Sequence, residues 1–422
     1  MKKSEQLLFI LLIIQPIIDL MTSLMTHYND TSTSIGALVR TIMMAILFIY
    51  IVQYILTKKR NIIWLFICSF ASIALMLMTN VILKDPFILY TELNFALKTS
   101  YYLVIIFTVI ILIDKQLLKQ AFIFKATNVI TVIIGISYWL AVLTGTSINS
   151  YTYGGKGYSG WFYSANELSV IMIILFGLSI AQISFKKTPS SWVSFILMLS
   201  MLPMVGTKTA FYGGMLILLT FTGYLLITFN IRLLRDKSQL VFLAIISLFL
   251  CTIPFSPIFS NTEQLDMRIK QEDKPIAENT AVQDSTFMTK LLSSRDIYLQ
   301  TTKDDFIQAE GLRKTFGLGY AGSYTSDPKI IEMDFFDMFF SYGVVGTLFL
   351  LMPLVYICVK ILVFPIHIEK ALLLFTLCLC FGIAFLAGHV IFAPSVMTYL
   401  AILFLAIGLK NDNQHVGEKY EQ

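Results

Sequence analysis

IEMDFFDMFFSYGVVGTLFLLMPLVYICVK occupies residues 331–360. Its first seven residues carry three carboxylates, Glu332, Asp334 and Asp337. The run from 335 to 361 is then almost wholly apolar. About 20 apolar residues at 1.5 Å each cross ~30 Å of hydrocarbon. The stretch therefore predicts a membrane-spanning helix entered through an acidic lip. Asp334, Asp337 and Ser341 fall at i, i+3 and i+7, on one helix face.

The same kind of run recurs on both sides. Spans are predicted at about 7–26, 35–56, 62–83, 99–113, 121–144, 165–185, 191–205, 209–229, 239–258, 335–361, 369–388 and 391–409. Composition agrees: 57% of the 422 residues are hydrophobic and 14% are charged. A soluble domain needs about a quarter of its residues charged to cover its surface. Soluble enzymes and nucleic-acid binders are therefore excluded, and the lipid bilayer is the expected solvent. The fold class is an all-α polytopic membrane protein of about twelve transmembrane helices. Residues 1–258 form helices one to nine, 259–334 a large extracellular loop, 335–409 helices ten to twelve, and 410–422 a cytoplasmic tail. The N-terminal run has no small-x-small cleavage site and reads as a retained first span. The five cysteines all lie in apolar runs and read as filler, with no disulfide and no metal.

Orientation follows from Lys and Arg. Lys2, Lys3, Lys58, Lys59, Arg60, Lys115, Lys119, Lys125, Lys186 and Lys187 gather in alternate connections, as do Arg232, Arg235 and Lys237. The positive-inside rule makes that side cytoplasmic and puts both termini there. The opposite ends hold the costly charges: Asp19, Arg40, Lys98, Glu167, Lys208, Asp334, Asp337 and His389, with none on the cytoplasmic half. The sequence shows no internal repeat and no deep inner charge, unlike a transporter with a midplane site. Cations mixed with carboxylates at the outer face suit a diphosphate-bearing lipid and a proton transfer.

Three segments stand out. YTYGGKGYSGWFYSANELS (151–169) combines glycines with aromatics on which sugars stack, and makes Tyr158, Trp161, Asn166 and Glu167 candidates. An interfacial aromatic belt is the plainer alternative. PMVGTKTAFYGG (203–214) breaks a hairpin and presents Lys208, as a phosphate ligand or as a snorkelling lysine. The third runs SSRDIYLQ (293–300), GLGYAGSY (317–324), then the acidic lip. Helical stretches are expected at Thr286–Leu299 and Lys303–Arg313. Mutual repulsion among the carboxylates is expected to raise one pKa toward that of a general base. His389 reads either as a site residue or as a helix-turn cap.

Together these features resemble the membrane O-antigen ligase and polysaccharide polymerase family. The matching positions are Lys208 at the seventh–eighth hairpin, Arg295 in the loop, Gly317 and Gly319, and Glu332 through Gly346. The resemblance implies a GT-C-like architecture in the bacterial cytoplasmic membrane. It further implies glycan transfer from undecaprenyl diphosphate to an acceptor hydroxyl at the outer face, without metal or other cofactor. Glu332, Asp334, Arg295 and Lys208 are then the candidate catalytic residues. Arg40, Tyr158, Trp161, Asn166, Glu167, Asp337 and His389 are the candidate substrate-binding residues. Expected partners are lipid-linked oligosaccharide donor and acceptor, the bilayer, and other polysaccharide-assembly proteins, with no nucleic acid. Ligases of the family place a histidine where Glu332 falls, and none is nearby in sequence. Polymerisation is therefore expected over ligation to lipid A. A flippase for the same lipids, or an enzyme attaching finished polymer to a protein or wall acceptor, are the alternatives.

Overall fold

The computed structural model describes residues 3–29, 35–58, 60–151, 156–185, 188–227, 246–247, 249–250, 254, 256–258, 261, 295–322, 329–363, 365 and 367–409. Among these residues the regular structure is helical, apart from one isolated bridge, Asn149 to Tyr158. The helices are α1 (Lys3–Asn29), α2 (Ile35–Lys58), α3 (Arg60–Leu83), α4 (Leu89–Lys115), α5 (Gln120–Leu143), α6 (Ala165–Phe185) and α7 (Pro189–Met201). They continue with α8 (Lys208–Ile227), α9 (Arg295–Gln308), α10 (Gly311–Phe316), α11 (Asp334–Leu362), α12 (Ile368–Leu386) and α13 (Pro394–Gly408).

Seven of these helices (α2, α3, α4, α5, α6, α11 and α12) are long and apolar enough to cross a membrane. Three shorter apolar segments lie at Leu11–His27, Pro189–Met201 and Pro394–Gly408. Helices satisfy their own backbone polar groups, which is what an apolar solvent demands. Most of the ninth predicted span lies outside the described residues, as do residues 286–294 of the first predicted loop helix. The second loop helix is displaced: the chain forms α9 over Arg295–Gln308 and α10 over Gly311–Phe316, with a break between them.

The centre of the bundle is α4, α6 and α13. From Ser395 to Gly408 every residue of α13 is buried, and the helix packs on both α4 and α6. A helix that is apolar all round has no solvent face to offer, so it takes the core. Helix α4 starts ten residues before the predicted boundary. Polar residues interrupt the apolar run at its head, but Glu92 is fully buried there, with its charge met by Lys84.

That pair belongs to a larger lock. Lys84 Nζ lies 2.6 Å from Glu92 Oε1 and donates to the Tyr320 carbonyl at 2.7 Å. Tyr320 N donates to Glu92 Oε2 at 3.0 Å, and Asn80 Nδ2 donates to the Gly317 carbonyl at 3.1 Å. The other wall is α11, which breaks at Gly343 (φ 67°, ψ −172°). The break frees the carbonyls of Phe340 and Ser341, which accept from Leu318 N at 2.9 Å and Gly319 N at 3.1 Å. A Cβ on Gly317 would lie 2.0 Å from the Ser341 oxygen, so only glycine fits. The Gly317–Tyr320 segment is thus a wedge clamped between α3, α4 and α11, and its glycines serve packing.

The two partners of this lock are 1% and 0% exposed. Removing one alone, as in Glu92→Ala, is expected to cost about 3–5 kcal/mol, because the other charge stays buried. Replacing both together by apolar residues, as in Lys84→Met with Glu92→Leu, is expected to cost less than either single change. Thermal unfolding of the detergent-solubilised protein measures both, and additive losses would contradict the pairing.

One acid departs from the predicted one-sidedness. Asp114, at the far end of α4 and 2% exposed, pairs with Lys360 of α11. Its sequence neighbour Lys115 drew the reading toward orientation and hid an interhelical tie. Lys115 itself lies over the ring of Tyr54.

Candidate active site

Helix α11 starts at the acidic lip, and its first two carboxylates act on backbone. Asp337 accepts from Ile331 N at 2.8 Å and Met333 N at 2.9 Å. Asp334 accepts from His389 N at 3.2 Å, Val390 N at 2.8 Å and Ile391 N at 2.7 Å. Both side chains are 3% exposed. One aspartate therefore holds the strand of chain around Glu332, and the other holds the α12–α13 turn around His389. Glu332 and His389 each sit at left-handed φ, 63° and 62°. Such backbone costs about 1–3 kcal/mol for a non-glycine residue and persists only where neighbours over-determine it. Gly388 packs its Cα against the Glu332 carbonyl, with no room for a Cβ.

Held this way, Glu332 gathers cations. Arg295, at the head of α9, donates Nε to the Glu332 carbonyl at 3.1 Å and Nη2 to Oε2 at 3.4 Å. Lys329 Nζ lies 3.4 Å from Oε1, and His389 Nε2 lies 3.6 Å from Oε2, an ion-pair distance. Burial alone would raise the Glu332 pKa, but His389, Lys329 and Arg295 outweigh it and hold the carboxyl at about 2. Burial likewise works against charge on His389, yet Glu332, with smaller help from Glu167 and Asp334, raises its pKa. Glu332 is therefore not the carboxylate of the acidic lip whose pKa its surroundings lift. The cost of burial is outweighed by three cations, two of which are distant in sequence.

A second focus lies beside the first, past Ser395. A cavity of about 330 Å³ is walled by α1, α2, α4, α6 and the start of α13. Arg40 pairs with Asp19, and Ser395 donates to Glu167, across its walls. Arg40 and Glu167 thus share one site. Asn166 is exposed and lies off the cavity wall.

The aromatic segment forms a plug beside the α7–α8 hairpin. Tyr158 N donates to the Met204 carbonyl at 3.1 Å, and Tyr138 Oη donates to the Tyr158 carbonyl at 2.9 Å. Trp161 Nε1 donates to Thr146 Oγ1 at 2.9 Å. The Tyr158 ring remains 38% exposed. Lys208 heads α8, half-buried, next to Thr207, whose hydroxyl lies 2.6 Å from that of Ser169. Tyr151 Oη donates to the Gly206 carbonyl at 3.4 Å. The same hydroxyl, its pKa raised by burial, feels the charge of Arg295. The Lys208 turn and Arg295 therefore share a neighbourhood through Tyr151.

Sequence reasoning passed over Lys329 and Ser395. The i, i+3 spacing of Lys329 and Glu332 was a usable signal for the first; the Pro394–Ser395 helix start was a weak one for the second. Among the described residues no three His, Cys, Asp or Glu side chains gather as a metal site.

Long apolar helices, a bundle with acid and base gathered at one end, and a carboxylate ringed by cations define a multi-pass membrane protein with a charged site at one face. The family model described as "O-antigen ligase like membrane protein" matches residues 1–411, and the chain belongs to that family. No curated protein matches it. Membership carries polysaccharide ligase- or polymerase-type function, which is glycosyl transfer on lipid-linked substrates in a bilayer.

Proposed function

We infer that this chain is a glycan polymerase of the outer leaflet of the bacterial cytoplasmic membrane, with twelve spans and both termini cytoplasmic. The observation that carries the reading is the Glu332 carboxylate held among Arg295, Lys329 and His389. A donor glycan on undecaprenyl diphosphate places its diphosphate against these cations, with Lys208 joining from the α8 turn. The acceptor hydroxyl oxygen bonds to the anomeric carbon of the donor. The bond from that carbon to the diphosphate breaks, and its electron pair leaves with the phosphate. The hydroxyl proton passes to Glu332.

A carboxyl held at about 2 is a weak base. A diphosphate bound to the same cations cancels the charge that depresses it, so donor binding and base strength are coupled. Charge on the leaving group is met by fixed cations in a half-buried site, where such stabilisation is largest. Asp334 and Asp337 serve this reading by position, since their oxygens are already engaged with backbone amides.

Attachment of finished polymer to another acceptor is the second reading. It is favoured by one observation: His389 stands beside Glu332, where the family's ligases place a histidine in sequence. The test is a host whose polymer depends on this chain, carrying Arg295→Ala, Lys208→Ala or His389→Ala. Single-repeat lipid-linked glycan is expected to accumulate and long polymer to vanish. Long polymer accumulating on lipid would transfer the assignment to the attachment enzyme. Normal polymer in all three variants would remove this site from the reaction.

A further inference from the structure

The cavity beside Ser395 differs in chemistry from the Glu332 cluster. Arg40 is already neutralised by Asp19, and Glu167 adds a second acid to the wall. A diphosphate would meet repulsion there. The wall also carries the hydroxyl residues Thr22, Ser23, Thr26 and Thr41, and among the described residues Thr22 Oγ1, Ser23 Oγ and Arg40 Nε are buried and meet no hydrogen-bond partner. Ser23 is 2% exposed. Buried polar groups of this kind call for partners. Phe162, Tyr101 and Tyr163 add aromatic faces. Mixed acids, hydroxyls, one paired guanidinium and aromatic rings suit an uncharged, hydroxyl-rich group, which is a sugar.

The mouth of the cavity has another character. Ala37 and Thr41 of α2 and Leu97 and Lys98 of α4 line it and are all exposed. Lys98 has no carboxylate partner among the described residues. Beyond it lie Leu38, Ile42 and Leu93, which are 63%, 54% and 43% exposed. Helix α2 is the least buried of the seven long apolar helices. The order from inside to outside is thus sugar-like lining, one exposed cation, then an apolar flank of two long apolar helices. A lipid-linked sugar has the same order: glycan, phosphate, hydrocarbon chain. At the inner end, Ser395 is six residues from His389, and Glu167 acts on the charge of His389.

We propose that this cavity holds the terminal sugar of the acceptor, a second lipid-linked glycan that enters sideways from the bilayer between α2 and α4. Its diphosphate rests at Lys98 and its hydrocarbon chain lies along the flank of α2. Its free hydroxyl points past Ser395 toward Glu332. The proposal rests on the glycan-transfer reading and adds the path and seat of the second substrate.

The experiment places the photoreactive residue p-benzoylphenylalanine at Thr41, at Leu97, or at Val344, which is 57% exposed on α11. The full chain is irradiated in host membranes. Adduct masses are compared before and after mild acid, which cleaves sugar from diphosphate. Adducts at Thr41 and Leu97 are expected to carry an acid-labile glycan of one repeat, and those at Val344 phospholipid alone. Lys98→Glu is expected to lower the glycolipid yield roughly fivefold or more. Phospholipid alone at Thr41 and Leu97, in cells whose polymer is lost in Glu332→Gln, would overturn the portal while glycan transfer stands. Long chains in adducts of the Glu332→Gln protein carried beside the active one, where no product forms in the seat, would overturn the acceptor assignment, since they mark the donor. Single-repeat adducts in cells whose polymer survives Glu332→Gln would support the portal and count against the transfer reading.

Discussion

Glu332→Gln is expected to lower glycan transfer by about 10²–10⁴-fold, the range for loss of a general base, with a smaller loss of thermal stability than Asp334→Ala. The amide keeps the size of the side chain and cannot take the acceptor proton. The pH dependence separates this role from a structural one. In the resting protein Glu332 is ionised down to about pH 2, and His389 stays protonated above its ordinary pKa. The sign follows from linkage. Glu332 has a depressed pKa, so its contribution to stability is present above the ordinary glutamate range and is lost as pH falls toward 2. His389 has a raised pKa, so its contribution is complete below the ordinary histidine value and is lost as pH rises through the raised one. The pair therefore stabilises the fold most in mildly acidic solution. In Glu332→Gln the His389 pKa should drop, because the main group raising it is gone. NMR titration of the His389 ring in the two proteins reads this directly. An unchanged histidine pKa would mean that the two side chains do not pair in solution.

Asp334→Ala should damage both fold and activity. The carboxylate accepts three buried backbone amides, from His389, Val390 and Ile391. Leaving a buried donor unmet costs about 1–3 kcal/mol, so the loss of three partners is expected to be on the order of 3–9 kcal/mol, more than for Glu332→Gln. The α12–α13 turn would lose its latch, and His389 its left-handed backbone and its place beside Glu332. Ser395 and Glu167 lie just beyond, so the inner end of the cavity should loosen too. Unfolding of the solubilised protein and transfer in membranes should fall together. A variant that unfolds normally and still loses transfer would instead give Asp334 a direct part in the chemistry.

Much of the architecture could be read one residue at a time. Apolar runs of span length report burial in lipid whatever they pack against, which is why α2, α3, α5, α6, α11 and α12 start and stop close to the predicted limits. The boundary of α4 failed because its head carries Glu92, and a charge reads as an exit from the membrane until its partner is known. Lys84 and Tyr320 supply that partner, and Tyr320 is 228 residues away from Glu92. The GLGY stretch failed differently. Glycine licenses both a ligand cradle and close packing, and only the neighbours at Ser341 and Glu92 show which is in use.

The site divides the same way. Sequence alone determined a membrane protein with acid and base collected at one end of several helices, because desolvation makes any such charge conspicuous wherever it falls. It also carried the resemblance to the O-antigen ligase family, through the order of Lys208, Arg295, the Gly317–Gly319 stretch and the Glu332 lip. What each charge does was decided by tertiary structure. Asp334 and Asp337 became latches because backbone amides from the α12–α13 turn and the acidic lip point at them. Glu332 became an ionised carboxylate because His389, 57 residues on, folds back beside it. A pKa is set by charges and burial within a few ångströms, and a helical bundle brings together residues whose distance along the chain says nothing of that proximity.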